Sequence, residues 1–193
     1  MNETYKARLG LLPTLAEQAP AGHIGRTALM KYMYFLQTLR KVPLGYNFSL
    51  YSYGPFDSDV LADLSSAQAL NIVNVTPVEF PGGYGYRIQP GNRAESAKRS
   101  ADEFLRKYAG DIAWLFSVFG DFNSANLELA STAVYVDREL ARSGEHRSIQ
   151  DITSRVHEIK PHFNKQYVRK VVTDLTKKGV LSSPPHGHAS RSA

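Results

Sequence analysis

The sequence predicts an α+β fold whose strands are confined to the first half of the chain. Three observations point there. Apolar residues recur at the three-four spacing of amphipathic helices along most of the 193 residues. Two stretches, residues 46–53 and 72–88, are rich in β-branched and aromatic residues and bounded by Gly and Pro. Beyond Pro90-Gly91-Asn92-Arg93 the apolar pattern is helical.

The first predicted helix runs from Glu3 to about Gln18, with Leu9, Leu12, Leu15 and Ala16 as its stripe and Pro13 straining its middle. The Pro- and Gly-bearing segment Ala19 to Gly25 ends it. A second helix covers Arg26 to about Lys41, buried through Leu29, Tyr32, Met33, Leu36 and Leu39, and closed by Pro43 and Gly45. Tyr46 to Tyr53 then reads as an extended segment, and Gly54-Pro55 as a structural turn. Asp57 or Ser58 caps a third helix, Asp59 to about Ala69, with Val60, Leu61 and Leu64 facing inward. Ile72 to Thr76 and Tyr84 to Ile88 form a hairpin, joined through Pro81-Gly82-Gly83, where glycine permits a positive φ. Helix, helix, strand, helix and hairpin in this order predict a winged helix-turn-helix, with the hairpin as wing.

The second half predicts helices only. One stretch covers Ser96 to Phe119 with a break near Gly110, and another covers Ser124 to Arg142. Ser148 and Asp151 mark a capping box ahead of Ile149, Ile152, Val156 and Ile159. Lys160 to Phe163 is a turn, Asn164 caps a last helix carrying Val168, Val171, Val172 and Leu175, and Gly179 terminates it. The expected organisation is therefore a winged-helix-like domain over residues 1–91, a helical domain over 92–181, and a disordered Ser-, Pro-, His- and Gly-rich tail over 182–193.

Composition excludes several classes. There is no cysteine, which removes disulfides and thiolate metal sites and suits a reducing cytoplasm. No apolar run approaches the roughly 20 residues a membrane helix needs, and the first residues lack a signal-peptide pattern. The net charge of +5 is unevenly spread: residues 147–178 alone hold 8 basic and 3 acidic residues. That excess suits a polyanion such as nucleic acid.

The chemistry-bearing residues form no catalytic constellation. Asp57, Asp59 and Asp63 lack a supporting His or Glu and make a weak cation set. Helix capping and the helix dipole account for Asp57 and Asp59. His157 and His162 flank a turn and do not share a helix face; His186 and His188 lie in the tail. Gly82 to Gly85 opens no helix and cannot cradle a phosphate in the manner of a dinucleotide loop. No metal, cofactor or catalytic residue is expected, and the chain is read as a non-enzyme.

Two binding surfaces emerge instead. Tyr51, Tyr53, Asp57, Asp59 and Asp63 would form an aromatic and acidic face that repels phosphate and suits a protein partner. The last helical pair, Ser148 to Ile159 and Asn164 to Lys178, has helix-turn-helix dimensions. Lys165, Gln166, Arg169, Lys170 and Thr173 would line its outer face, the cations on phosphates and Gln166 and Arg169 on base edges.

Ala28-Leu29-Met30-Lys31-Tyr32-Met33-Tyr34-Phe35-Leu36-Gln37 followed by Tyr53-Gly54-Pro55 resembles the YwgA-like bacterial family, and more distantly the Panacea (SocA-like) antitoxin domain. Leu127 to Tyr135 and Ile159 to Phe163 also resemble YwgA-family segments, so the resemblance spans about Arg26 to Leu181. It implies a non-catalytic protein that acts by binding a partner, such as a toxin. The leading expectation is accordingly an antitoxin- or adaptor-like regulator that binds protein through the winged-helix domain. The alternative is a transcriptional regulator contacting DNA through the basic last helix, aided by the Gly82 to Gly85 wing. Whether the chain pairs with a second copy stays open, as does whether Tyr32, Tyr34 and Phe35 are core or interface.

Overall fold

A computed structural model describes residues 2–80 and 83–181; Pro81, Gly82 and the tail 182–193, with His186 and His188, lie outside the described residues. The fold is α+β, mostly helical, with two small antiparallel sheets of two strands each. It divides into two compact units, residues 1–127 and 128–193, so the division falls inside one long helix.

The first unit is built on α1 (Glu3–Gln18) and α2 (Arg26–Arg40), which lie where the apolar spacing predicts them. Leu11, Leu12 and Leu15 of α1 and Leu29, Met33, Phe35 and Leu36 of α2 are fully buried. Tyr32 and Tyr34 are buried as well, so the aromatic cluster of α2 is core. After α2 comes a hairpin of β1 (Ser49–Tyr51) and β2 (Gly54–Phe56), then α3 (Ser58–Ala69). A second hairpin pairs β3 (Val73–Phe80) with β4 (Gly83–Pro90), from Val73 opposite Pro90 to Phe80 opposite Gly83. Ile24 bridges Ile88 on the other side of β4 through two backbone hydrogen bonds.

Two local readings are corrected. The extended segment is shorter than Tyr46 to Tyr53, because the side chain of Gln37 replaces a strand partner at Tyr46. Its Nε2 donates to the Tyr46 carbonyl at 2.7 Å and its Oε1 accepts from the Tyr46 N–H at 2.9 Å. The hairpin turn is Ser52 and Tyr53, with Tyr51 opposite Gly54, so Gly54 and Pro55 belong to β2. Gly54 still carries the turn's conformational demand, at φ +88° directly after it.

The helices after Arg93 pack within the first unit rather than beginning a second one. They are α4 (Ala94–Ser100), α5 (Asp102–Lys107) and α6 (Ala109–Phe119). Gly10 of α1 lets α4 approach closely: a Cβ there would stand 2.5 Å from the Ala101 Cβ. Lys98 bridges to Glu17 of α1 at 2.7 Å. Phe119 of α6 stacks on Phe35 of α2, ring centroids 4.0 Å apart. The expected boundary near residue 91 therefore sits inside a shared core. The helical break expected near Gly110 falls at Tyr108, and a second one precedes it. Gly110 lies inside α6, and the chain interrupts its helix at Ala101 and Tyr108; Ser100 donates to the Ser96 carbonyl just before the first interruption.

The second unit holds the C-terminal part of α7 (Ser124–Ser143), then α8 (Ile149–Ile159) and α9 (Lys165–Lys177). Ile152 and Val156 of α8 and Val168, Val172 and Leu175 of α9 are buried.

Candidate functional surfaces

In the first unit, the turn of the β1–β2 hairpin presents Tyr51 and Tyr53 to solvent, 65% and 73% exposed. The Tyr51 ring leans on Phe56, centroids 5.5 Å apart. The hairpin is held from below by Lys31. This buried lysine, on α2, donates from Nζ to the Pro55 carbonyl at 2.9 Å. Sequence reasoning placed Lys31 and Gly54-Pro55 in one motif but gave Lys31 no role.

The acidic residues expected beside the tyrosines separate. Asp59 is exposed, whereas Asp57 is half-buried and occupied as the cap of α3, accepting from the Asp59 N–H at 2.9 Å and from the Asn47 N–H. Asp63, expected on the exposed acidic face, is instead buried at 6% exposure. The Tyr46 hydroxyl donates to its Oδ2 at 2.8 Å, and Arg8 lies 3.4 Å away on the same oxygen. The Arg8 guanidinium also covers the Tyr46 ring at 4.0 Å and donates to the Leu44 carbonyl. Burial pushes the Asp63 carboxyl above its usual range despite the Tyr46 hydrogen bond and Arg8, which both lower it. Burial also pushes the Tyr46 hydroxyl up, with the Asp63 charge acting in the same direction.

In the second unit, α8 and α9 are separated by residues 160–164. Ser148 and Asp151 form the expected capping box at the start of α8, and Asn164 accepts from the Gln166 and Tyr167 N–H groups at the start of α9. The intervening turn is pinned by Lys160, 1% exposed, whose Nζ stands 2.6 Å from Glu128 Oε1 on α7. His162 Nε2 is 3.8 Å from the same oxygen. This buried pair was not recognised from the sequence.

Burial of Val168, Val171, Val172 and Leu175 against α8 turns the opposite side of α9 outward. Lys165, Gln166, Arg169 and Lys170 are exposed, and Thr173 is half-buried with its hydroxyl donating to the Arg169 carbonyl. Lys177, four residues beyond Thr173, extends the same exposed side. The face from Lys165 to Lys177 runs about 18 Å at the helical rise of 1.5 Å per residue. Its cations differ from others in the unit. Arg138, Arg142, Arg147, Arg155 and Lys160 each have a carboxylate partner. Lys165, Arg169, Lys170 and Lys177 have none among the described residues.

Among the described residues, no group of three or more His, Asp or Glu could hold a metal ion, and no helix is long and apolar enough to cross a membrane. No family model matches the chain, and no curated protein sequence does.

Proposed function

We propose that the protein is a non-catalytic, cytoplasmic regulator that binds duplex DNA through α9. The single observation behind this is the exposed side of α9, four cations without a carboxylate partner among the described residues on one helix face, with Asp174 as the only acidic residue of that helix. Such a face neutralises phosphates on both sides of a groove, while Gln166 and Arg169 are of the kind that reads base edges. The α8–α9 pair has the dimensions of a helix-turn-helix, and the Lys160–Glu128 pair fixes its turn. The test is fluorescence anisotropy of the full chain with a labelled random duplex at low and rising salt. Binding that weakens steeply with salt, and is lost in the K165E/R169E/K170E variant, supports it. No binding at low salt overturns it.

A second reading is favoured by the exposure of Tyr51 and Tyr53. Two aromatic rings on a braced turn suit a protein partner, because aromatic side chains supply large contact area at low entropic cost. The order α1, α2, β1–β2, α3 and β3–β4 is compatible with the winged-helix arrangement, its wing being β3–β4. Together with the YwgA- and Panacea-like residues of α2 and β2, it supports an antitoxin- or adaptor-like regulator that holds protein through the first unit and DNA through the second.

A further inference from the structure

We infer that Gln150 and Arg169 form one base-reading element, in which Gln150 of α8 holds the Arg169 guanidinium toward a guanine of the duplex; this rests on the DNA-binding function proposed for α9. Arg169 Nη1 donates to Gln150 Oε1 at 3.4 Å, across 19 positions of sequence. Both side chains are exposed. Lys165, Lys170 and Lys177 have no side-chain partner among the described residues, so each is a point charge on a four-carbon stem. Arg169 alone among the four cations is tethered.

The tether sets the chemistry of the pair. With one lone pair of Gln150 Oε1 taken by Arg169, the pair offers the Gln150 amide N–H groups and the remaining guanidinium nitrogens as donors. In the major groove guanine presents two adjacent acceptors, N7 and O6, whereas adenine and cytosine each present an amino donor there. The guanidinium fork therefore matches the two adjacent acceptors of guanine, a pattern that adenine, cytosine and thymine do not present. The backbone around the pair is fixed. Val168 and Val172 are buried on either side of Arg169, which sets its helix rotation, and Gln150 sits in the first turn of α8 behind the Ser148 cap. Lys165 and Thr173 lie one turn to either side of Arg169, where the groove walls bring phosphates.

The experiment selects bound duplexes from a randomised library with the full-length chain and with its R169A, R169K, Q150A and K170A variants, and sequences them. The wild type is expected to prefer guanine at one position by about tenfold or more, the range for a bidentate arginine contact. R169A should lose the preference, and R169K should keep duplex binding with a weaker preference, because lysine lacks the planar fork but still donates to N7 and O6. Q150A should weaken the preference several-fold at that position alone, and K170A should leave it intact while lowering affinity for all sequences alike. A wild type with no guanine preference overturns the inference. So does a preference that survives R169A, or one that is unchanged in Q150A. Failure of every variant and the wild type to bind any duplex at low salt instead removes the DNA-binding function itself, and the pair's role with it.

Discussion

Lys31 Nζ donates to the Pro55 carbonyl oxygen at 2.9 Å, joining α2 to the β1–β2 hairpin across 24 positions of sequence. Lys31 is 2% exposed. Proline brings no N–H to the strand ladder, and here its carbonyl serves as the anchor for the turn that carries Tyr51 and Tyr53. Lys31→Met keeps the apolar stem and removes the donor. It should cost about 1–3 kcal/mol, the penalty for leaving a buried polar group unmatched. Urea unfolding measures it, and faster chymotryptic cleavage at Tyr51 or Tyr53 should accompany it. A midpoint equal to wild type would show that the contact does not hold the hairpin.

The Asp63 cluster predicts a pH dependence. Burial raises the Asp63 carboxyl above its ordinary 3.8, so the folded chain holds this proton more tightly than the unfolded chain. The stability that this contributes is fully present below the unfolded value and is lost as pH rises through the folded one. Asp63→Asn cannot ionise and lacks this component. The stability of wild type relative to D63N should therefore fall as pH rises upward from near 3.8. Urea midpoints of both proteins from about pH 3 to about pH 7 give the comparison, and a constant difference would contradict a raised carboxyl.

Lys160 and Glu128 form the buried ion pair that fixes the α8–α9 turn to α7. Lys160→Met leaves the Glu128 carboxylate without its ammonium and should cost about 3–5 kcal/mol. The E128Q/K160M double variant removes both charges and should recover most of the loss, since paired removal is often near neutral. Thermal unfolding of the two variants separates these outcomes. Equal destabilisation of both would mean that packing, not charge pairing, carries the site.

What the sequence made legible is what depends on neighbours along the chain. The Ser148–Asp151 capping box, the Asn164 cap and the buried stripe of α9 are all set within one or two turns of helix. Lys31 with Pro55, and Gln37 with Tyr46, act across a tertiary contact, and no local pattern encodes them. The Lys160–Glu128 pair spans two elements in the same way. Asp63 is different, because its signal was present. Val60, Asp63, Leu64 and Ala67 occupy the i, i+3, i+4 and i+7 positions of the buried side of α3. Carboxylates are so seldom buried that a helix-surface assignment prevailed. The two compact units were misplaced for a related reason: a Pro-Gly sequence marks a turn, but only packing, here Gly10 against α4 and Phe35 on Phe119, decides whether a turn is a boundary.

Tyr51 and Tyr53 test the protein-binding surface. Both project into solvent, so the Y51A/Y53A variant should unfold within about 0.5 kcal/mol of wild type. Retention of a protein partner that the wild type captures should nevertheless drop at least tenfold in quantitative pull-down, as for paired aromatic anchors. A partner retained equally by both proteins would place the contact elsewhere.

The salt dependence of DNA binding counts the cations of α9. If Lys165, Arg169, Lys170 and Lys177 each neutralise one phosphate, the slope of log K against log salt should be about −3.6, from about −0.9 per contact on duplex DNA. Lys170→Ala and Lys177→Ala should each lower its magnitude by about 0.9. Lys160→Arg should leave it unchanged, because Lys160 is buried on Glu128 and offers no charge to a phosphate. Asp174, one turn from Lys170, opposes the field of the face. Asp174→Asn should therefore tighten binding most at low salt, where screening is weakest. Anisotropy titrations at four or five salt concentrations determine every slope. Equal slopes for wild type, K170A and K177A would show that a different surface meets the phosphates.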